Sequence, residues 1–220
     1  MFWFWWWQKF SRAEVGFKWG RPWHYRLAVL HPIVVLGAAV LIALAGGAID
    51  TSETNWNHFW LNFLVGGAST VLVTMITEEG FFRGWLWASL RRAGQPRGGA
   101  LLWSSITFSL WHLSAVSLET GFDLPAAQIP VFMVNAALIG LIWGMMRMIS
   151  GSVVVASVSH GVWNGLNYAL FAFGTKTGAL GVTQTSIYGP EVEFVGLALN
   201  AAFAAGLWWW LDRREATRNR

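Results

Sequence analysis

The chain has no cysteine among its 220 residues, which excludes disulfides, thiolate metal sites and a cysteine nucleophile. Charge is scarce too: Asp, Glu, Lys and Arg make up 12% of the sequence, against roughly 25% in an average soluble protein. There is no internal repeat and no Gly-, Pro- or Ser-rich linker long enough to divide the chain, so one domain is expected. No nucleic-acid-binding module accounts for the net charge of +4, and no nucleic-acid partner is expected. The opening MFWFWWWQKF lacks a basic region ahead of its apolar part and a small-residue cleavage site. It reads as an interfacial anchor rather than a removable signal peptide.

What is abundant is apolar surface. Hydrophobic residues make up 55% of the chain and the mean hydropathy is +0.45, the composition of an all-α, multi-pass membrane helix bundle. Six spans are expected, Leu27 to Ile49, Phe59 to Ile76, Ala100 to Val116, Pro130 to Met148, Val153 to Phe173 and Phe194 to Leu211, each near the roughly 20 residues needed to cross the hydrocarbon core. Charge placement tests this count, because Lys and Arg concentrate in short cytoplasmic loops. Lys9, Arg12, Lys18, Arg21 and Arg26 precede the first span; Arg83, Arg91, Arg92 and Arg97 follow the second; Arg147 follows the fourth; Arg213, Arg214, Arg218 and Arg220 follow the sixth. The opposite loops hold Asp50, Glu53, Glu119, Asp123, Glu191 and Glu193, with Lys176 their only basic residue. Both termini are therefore expected in the cytoplasm, with 1–26 an interfacial aromatic and basic segment, 27–211 the transmembrane core and 212–220 a basic tail. Many of the 17 tryptophans fall near span ends, as aromatic belts require. Gly140 with Gly144 and Gly161 with Gly165 have the small-xxx-small spacing of closely packed membrane helices.

Three polar groups interrupt the apolar runs. In TEEGFFRGWL, residues 77 to 86, Glu79 and Arg83 are four apart, share a helix face and can pair, leaving Glu78 free. Solvation at the cytoplasmic interface is the alternative for this trio, although the apolar pattern continues through Trp87. In FSLWH, Phe108 and His112 are four apart inside the third span; a lone histidine there is often a neutral packing residue. In HGVWN, His160 and Asn164 share a face that Asn167 extends. That stripe must point into the bundle or a wet cavity, either to bridge helices or to line a site. Together the groups offer a carboxylate, two imidazoles and a carboxamide on three helices, which antiparallel topology can gather. A carboxylate and an imidazole around a water form a hydrolytic arrangement, with fixed donors to stabilise the oxyanion.

These segments resemble, in order and helical context, the EExxxR, FxxxH and HxxxN motifs of the CPBP family of intramembrane proteases, which comprises the type II CAAX prenyl endopeptidases and bacterial relatives linked to bacteriocin processing and immunity. All motif positions are present between Glu78 and Asn164. The resemblance implies that Glu78, assisted by His112, activates water, that His160 and Asn164 stabilise the oxyanion, that Glu79 and Arg83 support the site, and that Phe108 packs beside His112. It further implies a peptide or membrane-protein substrate reached from the cytoplasmic side and a bacterial-type inner membrane. HExxH is absent, so no obligatory metal is expected; zinc would fall to Glu78, His112 and His160, a three-ligand set. An ion- or proton-coupled transporter would call for inverted repeats or paired broken helices, and a non-catalytic scaffold for a missing motif residue; the sequence has none of these.

Overall fold

The computed structural model describes residues 2–52, 54–118, 124–172, 178–182 and 185–218. Of the residues whose charge bears on topology, Glu53, Glu119, Asp123, Lys176 and Arg220 lie outside them, as does the Phe173 end of the fifth expected span. The described chain is helical, with no strand among its described residues.

Two short helices, α1 (Phe2–Trp7) and α2 (Arg12–Val15), precede α3 (Pro22–Ala45). The second expected span runs on well past Ile76 as α4 (Trp56–Arg92), a 37-residue helix. It is followed by α5 (Arg97–Trp111), α6 (Leu113–Ser117), α7 (Ile129–Ser150), α8 (Val153–Leu170), α9 (Thr185–Tyr188) and α10 (Phe194–Arg218). Local chemistry sets these ends. Pro22 and Pro130 occupy first-turn positions, where the missing N–H costs nothing. Gly151, at φ +67°, stops α7 in a left-handed cap, and Ser152 caps α8 by accepting from Val155 N–H.

Four helices, α3, α4, α7 and α10, are long and apolar enough to cross a membrane, so the chain is an integral membrane protein. The other two expected spans are weaker for a reason. At 15 residues α5 is about 22 Å long, and it ends just before His112. The 18-residue α8 buries Ser157, Ser159, His160 and Asn167 along one side, which lowers its apolar content. Both are helices that carry motif residues. Leu36, Phe108, Ile142, Trp143, Met145, Met146 and Trp163 fill the core, whereas Leu30, Leu41, Leu72, Trp103 and Trp208 face outward, as lipid contact requires.

Gly161 and Gly165 let α8 and α4 touch. A Cβ on Gly161 would stand 2.8 Å from the Gly67 carbonyl oxygen, and one on Gly165 would stand 3.0 Å from Gly67 Cα. Gly140 and Gly144 admit Arg83, Phe108, Ser105 and Leu101 from α4 and α5. One end of the bundle is closed by the segment around α2. Arg147 donates from Nη2 to the Glu14 carbonyl at 2.9 Å and from Nε to the Arg83 carbonyl at 3.1 Å, Val153 N–H reaches the Gly16 carbonyl, and Arg92 pairs with Glu14 at 2.8 Å. This is the basic end. At the other end Asp50 N–H bonds the Leu180 carbonyl and Gln128 bonds Glu193.

Candidate active site

Helix α4 is irregular where it carries the acidic pair. It turns at Thr77 (φ −92°, ψ −83°) and winds as a π-helix from Gly80 to Leu86, a geometry concentrated at functional sites. Glu78 therefore sits well inside a continuous helix, about 21 Å along it from Arg92. The expected second span ends at Ile76, two residues before Glu78, and the longer α4 carries Glu78 inside the bundle.

Glu79 and Arg83 form the expected pair at 3.3 Å, both fully buried. His160 adds a second contact, Nδ1 to Glu79 Oε1 at 3.1 Å. Arg83 also donates to the Gly140 carbonyl at 3.0 Å and lies 4.1 Å from the Phe108 ring centre, a cation–π contact. Phe108 meets His112 edge-on at 4.5 Å. His112 donates from Nδ1 to the Phe108 carbonyl at 2.8 Å, since a carbonyl can only accept. That fixes the tautomer of the neutral ring and leaves Nε2 bare, 3.9 Å from Glu78 Oε2. Glu78 Oε2 has no hydrogen-bond partner among the described residues. His160 stacks on Trp143 at 3.9 Å.

Glu78, His112, His160 and Asn164 all line one cavity of about 280 Å³, with Phe108, Trp143, Trp163, Tyr168 and Glu191 among its other walls. Glu79 and Arg83 stand behind it. Asn164 lies one helical turn beyond His160; its neighbour Trp163 is buried in the cavity wall, while Trp111 beside His112 faces outward. Asn167 bonds the side chain of Glu191. Among the described residues no group of three or more His, Cys, Asp or Glu is placed to hold a metal ion.

The cavity runs toward one end of the bundle. Its deeper walls, Phe108, Trp143 and His160, lie at mid-depth, and the remaining ones, Ala115, Phe132, Tyr168 and Glu191, belong to the ends of α6, α7 and α8 and to the loop before α10. All of these are at the end opposite the basic one, and the segment around α2 closes the basic end. Glu191 was the residue that sequence reasoning missed. It reads there as an outer-loop charge like Glu193, and only folding brings it over the site. Trp163 Nε1 donates to its Oε1 at 2.9 Å. Burial raises the Glu191 carboxyl above the usual carboxylate range, opposed by the Trp163 bond, the His160 ring and the Asn167 bond.

A family model described as type II CAAX prenyl endopeptidase Rce1-like matches residues 56–166, just over half of the chain. No curated protein and no solved structure matches it.

Proposed function

Because the chain belongs to the Rce1-like type II CAAX prenyl endopeptidase family, we propose that it is an intramembrane endopeptidase that hydrolyses a peptide bond with water activated by Glu78. The observation that carries this reading is the convergence of Glu78, His112, His160 and Asn164 on one cavity beside a fully buried Glu79–Arg83 pair. Glu78 is the free carboxylate because Arg83 is engaged by Glu79. The water lies between Glu78 Oε2 and His112 Nε2, gives a proton to Glu78 and attacks the carbonyl carbon. The carbonyl oxygen gains negative charge, which the Asn164 carboxamide and the His160 ring, held through Nδ1 by Glu79, stabilise. The proton on Glu78 then passes to the leaving amine. No metal is required in this scheme, and the substrate is a peptide or membrane protein with no prenyl group demanded by the cavity.

The orientation follows from charge: a six-span bundle with both termini, and hence the basic end, in the cytoplasm of a bacterial-type inner membrane. Residues 27–211 form its core, flanked by the 1–26 segment and the 212–220 tail. With that orientation the cavity opens toward the non-cytoplasmic side.

The test is cleavage of a peptide library by the purified protein and by Glu78→Gln, each with and without a chelator. A loss of about 10²–10⁴-fold in the variant, with activity retained under chelator, is expected. Chelator-sensitive activity restored by zinc refutes the metal-free scheme, and a variant as active as the wild type refutes the role of Glu78.

A further inference from the structure

Glu191 lies outside the family match, and none of the chemistry above uses it. It is nevertheless a built feature. Its side chain is held by Trp163 Nε1 at 2.9 Å and by Asn167. Its backbone is held as well, because Asn135 Nδ2 donates to the carbonyls of Pro190 and Glu191, both at 2.9 Å. Asn135 Oδ1 accepts from Asn200 Nδ2 at 2.9 Å, Asn200 Oδ1 meets His31 Nε2 at 3.1 Å, and His31 stacks on Trp163 at 5.1 Å and 6°. The circuit closes on the carboxylate it started from, and Asn135, Asn200, His31 and Trp163 are each no more than 1% exposed. Four helices, α3, α7, α8 and α10, thus fix one carboxylate in the cavity wall.

What the described residues do not supply is a lysine or arginine. Both donors to the Glu191 side chain are neutral, no Lys or Arg among the described residues lines the cavity, and Arg83 is engaged by Glu79 and Gly140. Asn167 Oδ1, in a residue that is 1% exposed, also has no partner among the described residues. The cavity is therefore rich in acceptors, with Glu78 a second carboxylate in the same wall. An ammonium brings three donors and no acceptor, and a guanidinium five.

We propose that Glu191 is a specificity residue, whose carboxylate receives the ammonium or guanidinium of a Lys or Arg side chain in the peptide substrate. The favoured peptide carries a basic residue beside the scissile bond. This assignment rests on the protease reading for its consequence, and on binding alone for its test.

The probes are two libraries of fluorescent decapeptides, random except for a central position fixed as Lys in one and norleucine in the other. Binding to the Glu78→Gln protein is read by anisotropy, alongside cleavage by the wild type. The Lys library is expected to bind about tenfold tighter or more, the range of a charge-assisted bond, and Glu191→Gln in that background is expected to erase the difference. Equal binding of the two libraries overturns the assignment, as does a Lys preference that survives Glu191→Gln. Should the double variant fail to fold, the comparison of libraries on the parent protein still decides. A Lys preference without any cleavage supports the assignment and counts against the protease; cleavage without the preference does the reverse.

Discussion

Replacing Arg83 by Met tests the buried pair most directly. The substitution keeps an unbranched apolar stem and removes the guanidinium, leaving Glu79 fully buried with only His160 against it. Breaking one side of a buried ion pair costs about 3–5 kcal/mol. The lost bond to the Gly140 carbonyl and the lost contact with Phe108 are part of that figure, because all three act through one group. Chains of this size shift by about 2–4 °C per kcal/mol, so the melting midpoint in detergent should fall by roughly 6–20 °C. Glu79→Gln added to Arg83→Met removes the stranded charge and should recover at least half of the loss, since removing both partners is far cheaper than removing one. The assay is thermal unfolding of the three proteins followed by tryptophan fluorescence. A single variant within about 2 °C of wild type, or a double variant no more stable than the single one, would refute the pairing as a support of the fold.

A Cβ at Gly161 would stand 2.3 Å from Val71 Cγ2 as well as 2.8 Å from the Gly67 carbonyl, so Gly161→Ala must part α4 from α8. Overpacking of this kind costs about 1–3 kcal/mol; a lower melting midpoint should accompany reduced cleavage, because the Glu79–His160 contact crosses the same interface. The Arg92 guanidinium, followed by Ser11, holds the Glu14 carboxyl down to about 2, so its stabilisation is complete above the ordinary carboxylate value and fades as pH falls from there toward 2. The pair is nearly half exposed, so Arg92→Ala should reduce an acid-side slope worth at most about 1 kcal/mol, measured by melting between pH 6 and 2.5. The absence of cysteine makes single-cysteine labelling clean: Ala115→Cys in the cavity wall should react with an impermeant maleimide on intact cells, and Ala93→Cys at the basic end only after permeabilisation. The opposite pattern would refute the proposed access.

Helical periodicity made half of the site legible. Glu79 and Arg83, and likewise His160 and Asn164, are four apart, and that spacing survives folding as a shared face. The continuation of α4 beyond Ile76 was legible too, in the apolar residues from Phe81 to Trp87. The π-helical winding from Gly80 to Leu86 was not, since it is a local widening stabilised by tertiary contacts such as Arg147 on the Arg83 carbonyl. Hydropathy also credited α5 and α8 with the character of the long helices, when their polar faces turn inward. Glu191 has no periodic neighbour to mark it. Its place depends on Asn135 and Asn200, residues 55 or more positions and 9 positions away, and no local pattern encodes such a circuit.

The three charges within six residues of α4 are best understood as a division of labour imposed by low dielectric. A lone carboxylate there would tend to take up a proton or demand a cation. Two carboxylates and one arginine satisfy that demand unequally, because the i, i+4 spacing gives Arg83 to Glu79 and the helix turns Glu78 to the neighbouring wall. The neutralised pair then serves as a fixed anchor for His160 and the Gly140 carbonyl, while Glu78 lines the cavity. Had the arginine stood four residues after Glu78 instead, the pairing would have engaged the carboxylate that faces His112, and the base would have been lost to the scaffold. The order of the residues in TEEGFFR thus selects which glutamate holds the fold and which one is left for chemistry.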